Sequence, residues 1–289
     1  MLFDLQSPRR RRVVRVVFGG LALIFAVSFV FLGVGTGGGG FSFSDLFGGG
    51  GGSSSTAFDS DIKAAEQKLT VNPNDTTTLA TLVQLHYSAA NANTSSTGVP
   101  TSDGVQQLKE AADSWNKYVK LSKGQNLSAT AAVYALNTFD LLAKLDFAAA
   151  RTDTSTTAAL TDVNAAVSDW KTAAQAQQAL IDSQPKKATS NSYANLAQYL
   201  YLSGDTKGGD QAAAKAKGFK GADAATIDRQ LQPFKQLGQQ LQTAIAQLNK
   251  QQRKTQGATG GVPGTPGGGN PLNGLGTGGG LGGASTGGL

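Results

Sequence analysis

Few side chains in this chain could do covalent or metal chemistry. His86 is the only histidine and there is no cysteine, which excludes a thiol nucleophile, a disulfide and a Cys/His zinc site. No GxxxxGK[ST], HExxH, GxSxG or CxxC motif occurs. The glycine runs are repetitive and lack a strand-then-helix setting, so they do not read as phosphate loops. His86 falls on an apolar helical stripe with no nucleophile implied beside it, and it reads as a packing residue, as do Trp115 and Trp170. Asn74, Asn93 and Asn126 each fit N-x-[ST], a match common by chance in a Ser/Thr-rich chain. The sequence predicts no catalytic residue, no metal ligand, no cofactor and no enzyme. What remains is recognition chemistry, in two i, i+3 pairs that each share a helix face: Gln84 with Tyr87, and Gln198 with Tyr201. Tyrosine offers a flat apolar area plus a hydroxyl, and glutamine can bond a peptide backbone through both amide atoms.

The elements that carry these pairs are helices. From Phe58, apolar residues recur at spacings of three and four. Ile62, Ala65 and Leu69 share one face, and Asn72-Pro73-Asn74 ends that helix. Leu79, Leu82, Val83 and His86 mark the next, followed by a polar loop over 91–104. Further stripes follow: Val105 to Val119; Val133 to Ala143, on a helix from about Ser128 to Ala150; Leu160 to Ile181, ended by Pro185; and Tyr193 to Leu200, closed by Ser203-Gly204-Asp205. A short Ala-rich helix runs to about Lys217. Ile227, Leu231, Phe234, Leu241, Ile245 and Leu248 form the last stripe, which Pro233 should kink or divide. No run alternates with the period of a half-buried strand. The fold class is all-α, with a helical domain over 58–256.

What precedes this domain reads as an anchor. Val16 to Val34 is nineteen residues without a charge; as a helix it would span about 28 Å, close to a bilayer's hydrocarbon core. Arg9, Arg10, Arg11, Arg12 and Arg15 stand just before it, and no Lys or Arg follows until Lys63. The positive-inside rule then gives a cytoplasmic stub over 1–15, a transmembrane helix over 16–34 and an extracytoplasmic remainder. Gly33 and Gly35 would suit a signal-peptidase site, but the apolar run is longer than a signal peptide's usual core, so the anchor is expected to stay uncleaved. The net charge of +6 lies largely in the stub, and no nucleic-acid surface is expected. Residues 35–57 read as a Gly/Ser-rich linker, and 257–289, nearly half glycine and uncharged, as a disordered tail.

Two helices resemble each other. When LATLVQLHYSAAN (79–91) is set against YANLAQYLYLSGD (193–205), Ala80 meets Ala194, Leu82 meets Leu196, Gln84 meets Gln198 and Tyr87 meets Tyr201. Each follows a helix that closes on a proline, and recurring helical hairpins imply a stacked, solenoid-like array. NSYANLAQYLYLSGDTKGGDQAAAKA (191–216) resembles a divergent tetratricopeptide repeat. Tyr193 stands at the first large position, Leu196 and Ala197 at the next pair, Gly204 at the turn, and Ala213 and Ala216 at the small sites of the second helix. Asn72-Pro73-Asn74-Asp75 is similar to a repeat junction. The spacing exceeds that of the family, Leu200 replaces an expected Tyr, and Gly209 replaces a small Ala. The whole layout resembles that of membrane-anchored tetratricopeptide-like proteins of actinobacteria.

The resemblance implies a fold of helical hairpins and a protein-binding role. The first helix of each pair would line a concave face, with Thr77, Ala80, Gln84 and Tyr87 on it in one repeat and Asn191, Ala194, Gln198 and Tyr201 in another. The expected partners are the bilayer, through residues 16–34, and an unidentified protein or peptide. The expected function is a single-pass, extracytoplasmic binding scaffold at the cell membrane. Two alternatives are a chaperone-like or translocon-accessory factor that holds exported chains, and a structural element of the cell envelope working through its Gly-rich tail.

Overall fold

Most of the helices begin at a residue the chain supplies as a cap. Asp75 accepts from the backbone of Thr77 and Thr78 at 3.0 and 3.2 Å, and Thr101, Ser128, Ser155, Thr189 and Asp205 cap their own helices in the same way. Thr189 and Ser192 close a reciprocal capping box. The computed structural model describes residues 56–257, 270–272 and 275, all within the unit Ser53–Gly280. Among the described residues there are eight α-helices and no strand: α1 (Thr56–Val71), α2 (Thr76–Ala92), α3 (Ser102–Leu121), α4 (Ala129–Thr152), α5 (Thr156–Ser183), α6 (Ser190–Leu202), α7 (Thr206–Lys217) and α8 (Ala224–Gly257). A single 3-10 turn, Pro185–Lys187, joins α5 to α6.

The helices pack as three successive hairpins, α2–α3, α4–α5 and α6–α7. Each hairpin touches the next, α2 and α3 against α4, and α5 against α6. α1 covers α2 at one end, and α8 lies across α5, α6 and α7 at the other. The interhelical seams follow most of the predicted stripes, although Val105, Val119, Val133, Val167, Phe234 and Ile245 are only half-buried. Leu79, Leu82, Val83, Leu108, Trp115, Phe139, Val163, Trp170, Ile181 and Leu196 are all buried. Small residues set how closely some helices cross. A side chain at Gly104 would meet the Ala90 and Asn93 carbonyls at the end of α2, so α3 can start there only on a glycine.

Pro233 does not divide the last helix, which runs unbroken from Ala224 to Gly257. A proline inside a helix removes one hydrogen bond and costs about 3 kcal/mol. Here Ile227, Leu231, Leu237, Leu241, Ala244 and Leu248 are buried along the whole seam on both sides of it, which outweighs that loss. No helix among the described residues is long and apolar enough to cross a membrane. Residues 1–15, the stretch 16–34 and nearly all of the linker 35–57 lie outside the described residues. In the C-terminal stretch read as disordered, Asn270, Pro271, Leu272 and Leu275 are described, and Leu272 is fully buried.

Candidate functional site

Gln84 sits on α2 at the wall of a cleft of about 340 Å³. Ala80 and Thr77, one and two turns earlier, form the same wall, and Ala80 keeps it open because its side chain is small. The opposite wall is Tyr118 of α3 with Asn126 and Ser128, in the loop that leads into α4. That loop is held by local geometry. Lys123, Gly124 and Asn126 all have positive φ, a region asparagine tolerates better than most residues. The Ser128 backbone N–H donates to the Tyr118 hydroxyl at 2.7 Å, which ties the loop to α3. The Gln84 amide has no hydrogen-bond partner among the described residues, so both of its polar atoms are available to the cleft.

Tyr87 does not line this cleft. It is half-buried, and its ring lies 5.6 Å from that of Tyr134 on α4, so it joins the first hairpin to the second. Burial, and then the Asp140 carboxylate, push its hydroxyl pKa up. Asp140 is itself buried, with Lys144 at 2.7 Å from Oδ2 and no partner for Oδ1. Burial raises its carboxyl pKa and Lys144 opposes the rise.

The second pair sits differently. Gln198 is half-buried on α6, but Tyr201 is 4% exposed and belongs to the core, not to a face beside it. Its hydroxyl donates to Asp210 Oδ1 at 2.7 Å. Lys235 of α8 stands 5.6 Å over its ring and pairs with Asp210 at 2.6 Å. A side chain at Gly209 would enter the tyrosine ring, and one at Gly238 would enter the Tyr201 carbonyl. The glycine at 209 is therefore required by the ring packed on it. α2 and α6 make no contact, so the structure does not bring the two Gln/Tyr pairs together.

The remaining candidates are structural. His86 is buried, with Nδ1 2.8 Å from Gln107 Oε1. Trp115 and Trp170 are both in the core. Among the described residues no group of acidic, His or Cys side chains could hold a metal ion. The α4–α5 seam carries Asp146, Asp162 and Asp169. Burial, and then the neighbouring Asp146, push the Asp169 carboxyl up to about 7. Sequence reasoning missed Tyr118 and Ser128 as cleft residues. The stripe read from the sequence ends on Val119, whereas the structure buries its neighbour Tyr118, three residues after Trp115, and the hairpin geometry turns its hydroxyl toward Ser128. No known protein family, curated protein or solved structure matches this chain.

Proposed function

We propose that this chain is a membrane-anchored scaffold whose extracytoplasmic helical domain, of tetratricopeptide-like type, binds a protein or peptide partner. The cleft at α2 supports the reading. It combines a glutamine with both amide atoms free, small and hydroxylic side chains on one helix face, and a loop wall fixed by the Ser128–Tyr118 bond. Such a surface suits an extended segment, whose backbone carries one donor and one acceptor per residue. The hairpin stack supports the family reading, because the matched residues lie on α2 and α6, the first helices of the first and third hairpins. The anchor rests on the uncharged run over 16–34 and the five arginines before it.

The test is affinity purification of the full chain from solubilised membranes, beside an Ala80→Trp variant that fills the cleft. Loss of one co-purified partner in the variant, with the helical signal unchanged, is the expected result. Equal capture by both chains would remove the cleft from the reading, and capture of many unrelated exported proteins would point to the chaperone-like alternative. Protease added to intact spheroplasts should digest everything beyond Gly35 and spare the stub. A mature N-terminus near Thr36 would overturn the anchor.

A further inference from the structure

The tail residues Asn270, Pro271 and Leu272 dock on the helical domain far from the cleft at α2, and their contacts are specific. The Asn270 side-chain amide donates to the carbonyls of Ala150 and Asp153, at 2.8 and 3.1 Å. These lie at the C-terminal end of α4, where helix carbonyls have no partner within the helix. The Asn270 Oδ1 accepts the Leu272 backbone N–H at 3.0 Å. Both N–H donors of that amide and one lone pair of its oxygen are thus used. Aspartate could not donate, and glutamine is one methylene longer. Leu272 is fully buried. Pro271 and Leu275 face Gln239, Gln240, Thr243 and Gln247 of α8 across a cavity of about 590 Å³.

We propose that the groove between the end of α4 and α8 is a peptide-recognition site for an Asn-Pro-Leu turn, and that its ligand is this chain's own tail, bound in cis. The reach is sufficient. Twelve residues separate Gly257 from Asn270, which can span about 40 Å when extended. The tail returns alongside Gln239 to Gln247, about 15–27 Å back along α8 at its rise per residue. The segment is also the one stretch of the tail where asparagine, proline and leucine adjoin, in a region otherwise dominated by glycine. A Gly-rich connection of this length gives a tethered ligand an effective concentration on the order of millimolar, so a modest intrinsic affinity keeps the site filled.

A fluorescent peptide of sequence GGGNPLNGLGT, taken from residues 267–277, tests this on the full chain. The Leu272→Asp chain, whose own tail cannot seat, should bind the peptide saturably. The wild-type chain should bind it at least tenfold more weakly, and a peptide with aspartate in place of Asn270 should fail to compete on either. The Leu272 amide should exchange slowly with solvent in the wild-type chain and rapidly in an Asn270→Ala chain, which covers the case in which Leu272→Asp disturbs folding. The proposal is overturned if the vacated chain binds no peptide, if the aspartate peptide competes equally, or if the Leu272 amide is unprotected in the wild type. A wild-type dimer that dissociates on adding peptide would overturn the cis assignment, because the ligand would then come from a second copy.

Discussion

α2 and α6 share an alanine, a leucine, a glutamine and a tyrosine in one register, yet the two helices meet different surroundings. On α2, Gln84 faces an open cleft and Tyr87 rests half-buried on the ring of Tyr134. On α6, Tyr201 is enclosed by the Gly209 backbone, the Asp210 carboxylate and the Gly238 face of α8. The cause lies outside either helix. α2 starts the hairpin stack and has only the short α1 on its outer side, whereas α6 ends the stack beneath the thirty-four residues of α8. A tyrosine in the same local sequence register is a bridge on α2 and a core residue on α6. Position in the stack, more than residue type, decides which side chains stay exposed.

The largest expected effect separates the two tyrosines. Tyr201→Ala removes a buried ring and should cost about 3–5 kcal/mol, in line with large aromatic truncations. For a domain of this size that is a fall in Tm of roughly 10 °C. Tyr87→Ala removes a half-exposed ring and one aromatic pair, so about 1–2 kcal/mol is expected. Chemical denaturation of both variants measures the ratio. Equal losses would mean that α8 does not enclose Tyr201 as described.

The second prediction concerns the sign of a change. In an exposed helix, replacing glycine by alanine gains about 0.5–1 kcal/mol. Gly238→Ala should instead lose about 1–3 kcal/mol, because its methyl would press on the Tyr201 carbonyl, a backbone atom that cannot swing away. Gly209→Ala should lose as well, even though the family resemblance expects a small alanine there. A gain in Tm at Gly238 would show that α8 sits farther from α6, and a gain at Gly209 that the Tyr201 ring does not press on α7.

These glycines also mark where the sequence stopped being informative. The helices were legible because the apolar stripes repeat at three and four and because Asp75, Ser128 and Thr189 are strong caps. The turn at Asn72-Pro73-Asn74 was legible for the same local reasons. The burial of Tyr201 was not, since it depends on α8 arriving more than thirty residues later. Of the two outcomes that Pro233 allows, a kink or a division, the division does not occur, because the buried seam continues on both sides of it. Asn270 was hidden by its neighbours. Glycine-rich composition argues for disorder on average, but three adjacent residues with the right donors and volume are enough to dock. At the cleft, Gln84 was found by its spacing, but the Tyr118–Ser128 wall needed the hairpin fold.

The hairpin between the two ends should respond to pH with its own sign. Burial and Asp146 raise the Asp169 carboxyl from 3.8 to about 7 in the folded chain. The folded state therefore holds this proton more tightly than the unfolded state, and stability should decline as pH rises from about 4 to 7, then level off. Asp169 is partly exposed, so solvent screening reduces the cost to about 1–2 kcal/mol. A thermal melt series should show Tm lower by a few degrees at pH 8 than at pH 5. Asp169→Asn should flatten that slope and leave the difference between Tyr87→Ala and Tyr201→Ala unchanged. An unaltered slope would assign the pH response to other groups.

The smallest effect belongs to the α8 end. Asp210 accepts from Lys235 Nζ and from the Tyr201 hydroxyl, and these two bonds hold its carboxyl below 3.8. A carboxylate with a lowered pKa stabilises the fold above its unfolded value, and that contribution disappears as pH falls through the folded one. The sign is thus opposite to that of Asp169. Its side chain is 53% exposed, so the contribution is well below 1 kcal/mol, a shift in Tm of no more than about 2 °C. Asp210→Asn should show that small deficit at pH 7, where the wild type is ionised. The deficit should close as pH falls through the lowered folded pKa of Asp210, where both side chains become neutral. A deficit that persists in acid would mean that the geometry around Tyr201, and not the charge on Asp210, carries the loss. That outcome would sharpen the contrast with α2, because it would make the α6 end a matter of packing alone. A deficit much larger than 2 °C at neutral pH would instead make the Lys235–Asp210–Tyr201 group a principal fastening of α8. The buried tyrosine would then owe its place to an ion pair, and Tyr87, which has no such pair, would be the better measure of what a bare ring contributes between hairpins.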